Sequence, residues 1–393
     1  MSTGRAVAFL SLAAFVSAAI SRVMDTLVPA IAADLATTPG AVGLAVTAFT
    51  LAYGCCQLFW GPVGDRFGKY RVVTLACLVS AATAGGAAFA QSLPMLSFFR
   101  LLSGITAAAL IPLSMAFIGD HVAYADRQAT LARFMTGQIL GLIGGQVIGG
   151  IVGDLLGWRA TFLFLALLFL VASLALAREL RAGRIPPPVL SAPARPGHLA
   201  LAYLGLLRRP WPRRVLLTVA VEGVLFFGAM AYVGAALRLE FGLSYAAIGG
   251  LLACFGLGGM GYVLNAARLV GGLGERGLAL LGGAVMATGF VLLALAPSLW
   301  LAVLGIALQG FGFYGLHNTL QTNATQMAPE ARGLAVSAFA SCFFLGQGTG
   351  AALGGVVFDR LGPTPLFAAS GLGLLALAAS FALALARRKG TTV

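Results

Sequence analysis

The chain has 393 residues, of which 60% are apolar and only 9% charged, with a formal net charge of +13. Soluble domains carry about 25% charged residues, so the chain cannot cover an ordinary solvated surface, and a soluble enzyme is excluded. A nucleic-acid face is excluded too, because the Lys and Arg residues sit in short breaks between apolar runs and do not cluster with aromatics on a solvated domain.

In chain order, apolar runs begin near residues 6, 40, 72, 95, 129 and 160, and then near 215, 245, 277, 298, 333 and 364. A helix of ~20 residues crosses a bilayer, so the runs predict an all-α membrane protein with twelve transmembrane helices. The first run, Ala6 to Ile20, has the length of a signal-peptide core and a small-residue step at Ser17-Ala18-Ala19. The apolar pattern continues through Val28, so a retained span is expected. Between the sixth and seventh runs, Arg178 to Arg214 holds eight arginines and the run Pro186-Pro187-Pro188. That composition predicts a solvated, partly extended linker with a short interfacial helix. The expected organisation is a six-helix bundle over 1–177, a cytoplasmic linker over 178–214 and a second six-helix bundle over 215–393.

The two halves repeat. At a fixed offset of 205 residues (332 − 127), Arg127, Gly141, Gly145, Gly149, Gly150, Asp154, Gly157 and Phe162 match Arg332, Gly346, Gly350, Gly354, Gly355, Asp359, Gly362 and Phe367. A repeat of this kind implies two pseudo-symmetric bundles around a central site. Basic residues then fix the orientation. With both termini in the cytoplasm only Arg159, Arg238 and Arg360 face outward, as the positive-inside bias requires.

Several chemistries lack their residues. A P-loop needs Gly-Lys-Ser/Thr, and the only lysines are Lys69 and Lys389. Gly256, Gly258 and Gly261 match a dinucleotide string but lie inside an apolar span, where close helix packing explains them. His121, His198 and His317 lack ligand spacing. Cys55, Cys56, Cys77, Cys254 and Cys342 lie inside apolar runs and read as packing residues. Neither cofactor nor metal is expected.

Between the second and third spans stands Gly61-Pro62-Val63-Gly64-Asp65-Arg66-Phe67-Gly68-Lys69-Tyr70-Arg71. This stretch resembles the signature loop of the major facilitator superfamily, and the resemblance extends over nearly the whole chain. It implies a cytoplasmic gate motif made by Gly61, Gly64, Asp65, Arg66, Gly68 and Arg71, latching the halves. Arg100, four residues before Gly104, looks like the intramembrane arginine of proton-coupled members. Gly141, Gly145, Gln146, Gly149 and Gly150 resemble the antiporter motif of the fifth span, with Gln146 where that motif has proline. The glycines have a second account, since small residues let helices approach closely in lipid. Asp25-Thr26-Leu27-Val28-Pro29 is similar to the first span of twelve-span drug:proton antiporters.

An acid inside a span costs about 2.5–3.5 kcal/mol on insertion scales, so Asp25 must face protein or water. It is either a proton carrier or the structural partner of Arg22, three residues earlier and near the outer interface. Glu222, in the seventh span, either shares the proton role or hydrogen-bonds a neighbouring helix. Arg100 either tunes an acid or binds an anionic group. On the tenth span Gln309, Tyr314, His317 and Gln321 recur at helical spacing and, with Asn318, are expected to line a cavity; Phe49, Tyr53, Phe226, Phe227 and Tyr232 either form its aromatic walls or face lipid. His317 either titrates there or is a solvated helix-end residue. The expected function is proton-coupled export of drug-like molecules or metabolites through the bacterial inner membrane. The alternative is a proton-coupled importer that clamps an anionic metabolite with Arg22 and Arg100. The expected partners are a small-molecule substrate, protons and the lipid bilayer, with the protein a monomer and no nucleic acid involved.

Overall fold

The structure is a computed structural model and describes residues 2–187, 196–295 and 298–390. Helices α1 (Ser2–Arg22) and α2 (Met24–Asp34) form the first span. They are followed by α3 (Pro39–Phe67), α4 (Lys69–Ala88), α5 (Leu93–His121), α6 (Tyr124–Leu156) and α7 (Trp158–Arg181). After the linker helix α8 (Pro196–Arg208), the seventh span is built in pieces: α9 (Pro210–Glu222), a π-helical turn (Gly223–Phe227), α10 (Gly228–Met230) and α11 (Val233–Phe241). Then come α12 (Tyr245–Leu295), α13 (Leu299–Gln326), α14 (Arg332–Leu361) and α15 (Pro363–Gly390).

Local chemistry sets the boundaries. Thr38 and Ser92 accept the first free amides of α3 and α5, with a proline in the opening residues of each helix. Gly157 and Gly362, matched in the repeat, each take φ 85° between a fifth and a sixth span, a conformation L side chains rarely adopt. Among the described residues, eleven stretches are long and apolar enough to cross a membrane. One of them, α12, has 51 residues, about 77 Å at 1.5 Å per residue against a bilayer core of ~30 Å. It bends at Gly274 (φ 61°, ψ −178°) and crosses twice, which makes twelve crossings. The sixth-span helix runs to Arg181 and the seventh starts at Pro210, so helix reaches into the arginine-rich stretch from both sides. Charged residues there extend helices past the apolar run. Of the proline run, Pro188 lies outside the described residues.

The repeat seen in sequence recurs in packing. A side chain at Gly141, Gly145 or Gly149 would run into Phe15, Ala19 or Val23 of the first span. One at Gly346, Gly350 or Gly354 would run into Ala220, Val224 or Gly228 of the seventh span. Each of these contacts is the other's counterpart at the same offset of 205 (220 − 15). The fifth span of each half is therefore held against a first span whose helix is interrupted at that level, at Val23 in one half and through the π turn in the other. Gly145→Val is expected to destabilise the protein by about 1–3 kcal/mol, the usual cost of overpacking. Gly61→Ala, where an added carbon meets nothing, should be silent. Thermal melts of the two purified variants measure the difference.

The halves meet on the face opposite the linker, here called the distal face. Asp359, near the end of α14, accepts from Gly40 N at 2.9 Å and Thr38 Oγ1 at 2.5 Å at the start of α3. Asp154, near the end of α6, accepts from Tyr245 N at 3.2 Å at the start of α12. Deeper in, Thr47 Oγ1 donates to Gly348 O at 2.9 Å, and Ser341 Oγ donates to Gly54 O at 2.7 Å. Tyr232, expected on a cavity wall, belongs instead to this seal. The interruption before α11 turns its ring onto Phe358, and its hydroxyl donates to Ala351 O at 2.6 Å between Gly43 and Gly355. Towards the linker face, an added carbon at Gly61 on α3 or Gly333 on α14 would meet nothing within 4 Å, and a pocket of about 610 Å³ lies within the first half between α1, α5 and α6, lined by Ser11, Asp126 and Arg133 among others.

Candidate functional site

The first span changes helix at Val23, and this places Asp25 in the first turn of α2, buried, with its backbone carbonyl against Gly234 of the other half. Its carboxylate is held loosely. Arg22 Nη1 lies 3.9 Å from Oδ2, and Gln146 Nε2 reaches the same oxygen at 3.5 Å. Both contacts are longer than a good hydrogen bond. The glycines around Gln146 bring α6 onto the first span, where Thr26 Oγ1 donates to Gln146 O at 3.1 Å. The departure from the antiporter motif thus puts an amide against the acid, which the sequence reading of the motif did not foresee.

Arg100 is wholly buried on α5. Its Nη1 donates to Ile20 O at 2.9 Å, and its guanidinium lies 4.1 Å over the Phe49 ring, with Nε and Nη2 unpartnered. Arg22, the last residue of α1, has its guanidinium 3.9 Å over the Phe227 ring of the other half. Arg100 keeps its Nε–Nη2 edge without a partner in this conformation.

In the second half Glu222, fully buried, contacts His317 Nδ1 through Oε2 at 2.7 Å, while Oε1 has no partner. His317 is therefore not a solvated helix-end residue. The second half of α13 carries it into the bundle, where its ring stacks on Phe313 at 4.7 Å and tilts against Phe343 at 4.6 Å. The π turn after Glu222 directs Phe226 and Phe227 into the same cluster. Phe227 meets Phe313 and Phe343, each at 5.5 Å.

The remaining expected cavity residues divide. Tyr53 packs on Phe344 across the halves at 4.2 Å, and Tyr314 lies against Gly259 and Phe255. Gln309 is not on a cavity wall: it is fully buried facing the ninth span, where Nε2 donates to Met286 O at 3.2 Å beside Gly289. A glutamine in an apolar bundle must find a backbone acceptor, and the small residues there supply one. Phe226 is also fully buried, beneath Phe227 and against Phe313. Asn318 is half-buried, with Tyr262 of α12 as its side-chain neighbour.

At the linker face, the signature loop makes its ion pairs within one half. Lys69 Nζ bridges Asp65 at 2.8 Å and Asp120 of α5 at 2.7 Å, while Arg66 stacks on Phe67 and Arg71 is exposed. One acid escaped the sequence reading. Glu179 is fully buried at the end of α7 and paired at 3.1 Å with both Arg5 and Arg184, tying the start of the first span to the start of the linker. Its neighbours Arg178 and Arg181 make it look like an interfacial charge, so no sequence signal separates it from one.

Two six-helix bundles, joined at the distal face around a buried polar centre, define a membrane transporter fold. The sequence profile of the Major Facilitator Superfamily matches residues 10–287 and 230–392, and the chain belongs to that superfamily. It is 28% identical over 381 residues to the multidrug efflux protein YfmO of Bacillus subtilis (strain 168), covering 93% of this chain and 89% of the relative. It is 26% identical over 369 residues to the transporter YgaY of Escherichia coli O157:H7, covering 88% and 86%. Among solved structures, the POT family transporter PepTSo superposes with TM-score 0.78 at 16% identity, covering 99% of each chain.

Proposed function

We propose that the protein is a proton-coupled exporter of small molecules in the bacterial inner membrane, alternating between its two halves, with the linker face and both termini cytoplasmic. Asp25 carries the coupling. The observation behind this reading is a buried carboxylate at the helix interruption of the first span, below the distal seal, with only long contacts to Arg22 and Gln146. An acid so loosely held exchanges partners at little cost when the halves rock. In the conformation described, substrate enters from the linker face and the proton leaves; after the halves rock, the substrate leaves distally and a proton returns to Asp25. The multidrug relatives support the export direction, and the basic linker supports the orientation.

The test uses everted membrane vesicles and the compound that most raises the melting temperature of the purified protein. Accumulation driven by an acidic lumen, from which protons run out in exchange for the compound, is the expected result; accumulation only when the lumen is made alkaline would establish import instead. In the same assay Asp65→Asn should slow turnover several-fold. It should change binding of that compound by less than about twofold, below 0.5 kcal/mol, because Lys69 keeps Asp120 and the loop lies far from Asp25.

A further inference from the structure

The two buried acids of the centre have unlike surroundings. Asp25 feels two guanidiniums, Arg22 and Arg100, so with Asp25 ionised the cluster is net +1, and a proton there makes it +2. Glu222 has His317 as the one titratable group acting on it among the described residues. With a neutral imidazole that pair is net −1, and a single proton brings it to zero, removing a buried charge that no cation balances.

We infer that Glu222 and His317 form a second proton site, with His317 as the shuttle between the cavity and the buried carboxylate. The inference rests on the chain being a proton-coupled transporter, and it places a proton in the half that Asp25 does not serve. The access pattern carries it. The Glu222 side chain is 0% exposed and that of His317 is 13% exposed, so the imidazole stands between solvent and the acid. Nδ1 is committed to Glu222 Oε2 at 2.7 Å, which leaves Nε2 as the entry. A proton taken at Nε2 makes an imidazolium. The Nδ1 proton then passes to Oε2, and the ring is left as the neutral Nε2–H tautomer. One proton enters, one O–H bond forms, one N–H bond breaks, and no other reactant is needed.

The surroundings suit both charge states. Phe313, Phe339 and Phe343 lie at 4.7, 5.3 and 4.6 Å from the His317 ring, giving an imidazolium aromatic neighbours in place of water. Other titratable or charged groups on packed elements include Tyr314 on α13, Cys342 on α14, Cys254 on α12 and, from the first half, Arg22. Tyr314 lies against Gly259, and Arg22 is behind the Phe227 ring. Phe227 also meets Phe313 and Phe343, so one ring touches both the Arg22–Asp25 cluster and the cage of the dyad. The π turn that holds this ring begins directly after Glu222, and π turns inside helices are frequent at functional sites.

The experiment labels the chain's three histidines with nitrogen-15 in purified full-length protein, assigns His317 by comparison with His317→Gln, and follows ring-nitrogen shifts against pH. The expected result is an Nδ1-protonated tautomer at alkaline pH and a His317 titration displaced by about one pH unit or more, a tenfold change in proton affinity, in Glu222→Gln. Retained His121 signals show that the variant is folded, and Glu222→Asp should keep the coupling. Proton uptake in weakly buffered detergent solution should be one proton lower for Glu222→Gln than for the unaltered protein. A His317 titration unmoved by Glu222→Gln, or equal proton uptake, overturns the second site. The readout needs no substrate and no direction of transport, and Asp25→Asn should leave it unchanged. Failure of the exporter reading and failure of the dyad are therefore seen separately.

Discussion

Asp25→Asn is expected to abolish gradient-driven transport in the vesicle assay while the protein still inserts and purifies. Asparagine keeps the volume and the contact to Gln146 but cannot gain or lose a proton, so a cycle coupled through this residue stops. The fold survives because the charge pair is weak: Arg22 stands 3.9 Å away, and each arginine of the cluster keeps an aromatic face, Phe227 for Arg22 and Phe49 for Arg100. Such contacts are worth about 0.5–2 kcal/mol each, comparable to a loosely held ion pair. Downhill exchange of the compound, which needs no net proton movement, should persist in Asp25→Asn, separating lost coupling from a blocked pathway. Asp25→Glu should retain partial coupling. Gradient-driven accumulation at the unaltered rate in Asp25→Asn would remove Asp25 from the mechanism.

Much of the fold is legible from the sequence because a bilayer demands long apolar helices, and α12 alone, read as two runs, appears as one helix bent at Gly274. The repeat is legible for a physical reason as well. Glycines and an aspartate are the residues that close backbone contacts and helix-end hydrogen bonds cannot replace, so they stay in register while lipid-facing side chains drift. The site was less legible. Helical spacing placed Gln309 with Tyr314 and His317 on one face, but that face meets the ninth span at Gln309 and the aromatic cluster at His317. Periodicity alone does not say which neighbour a stripe meets. The pairing of Glu222 with His317, and of Asp25 with Gln146, joins residues 95 and 121 positions apart by tertiary packing that no local pattern encodes. Tyr232 was misplaced for the same reason, because the irregular turn before it rotates the ring by an amount the sequence does not specify.

Removing both aspartates of the distal seal, Asp154→Ala with Asp359→Ala, is expected to move the resting population toward the distal-open form by roughly tenfold or more. Each acid lies two residues before the end of its own helix, α6 or α14, where the helix dipole disfavours an anion by about 0.3–1 kcal/mol. Each reaches instead the opening amide of a helix in the other half, the position where an anion is favoured and where a cap contributes about 0.5–2 kcal/mol. The acids are therefore misplaced within their own bundles and well placed only while the halves are shut distally. Their contacts exist in one state of the cycle and not the other, and only such differential contacts shift an equilibrium. Two caps together supply on the order of 1–4 kcal/mol, and 1.4 kcal/mol is already a factor of ten. Spin labels at Phe89 and Leu239, both exposed at the distal ends of opposite halves, would report the change as a longer component in the distance distribution, after replacement of the five cysteines. Each single substitution should give about half the free-energy shift, because the two caps sit at separate helix pairs and such effects add. A distribution unchanged in the double variant would show that glycine packing between α3 and α14 holds the distal face shut without the aspartates.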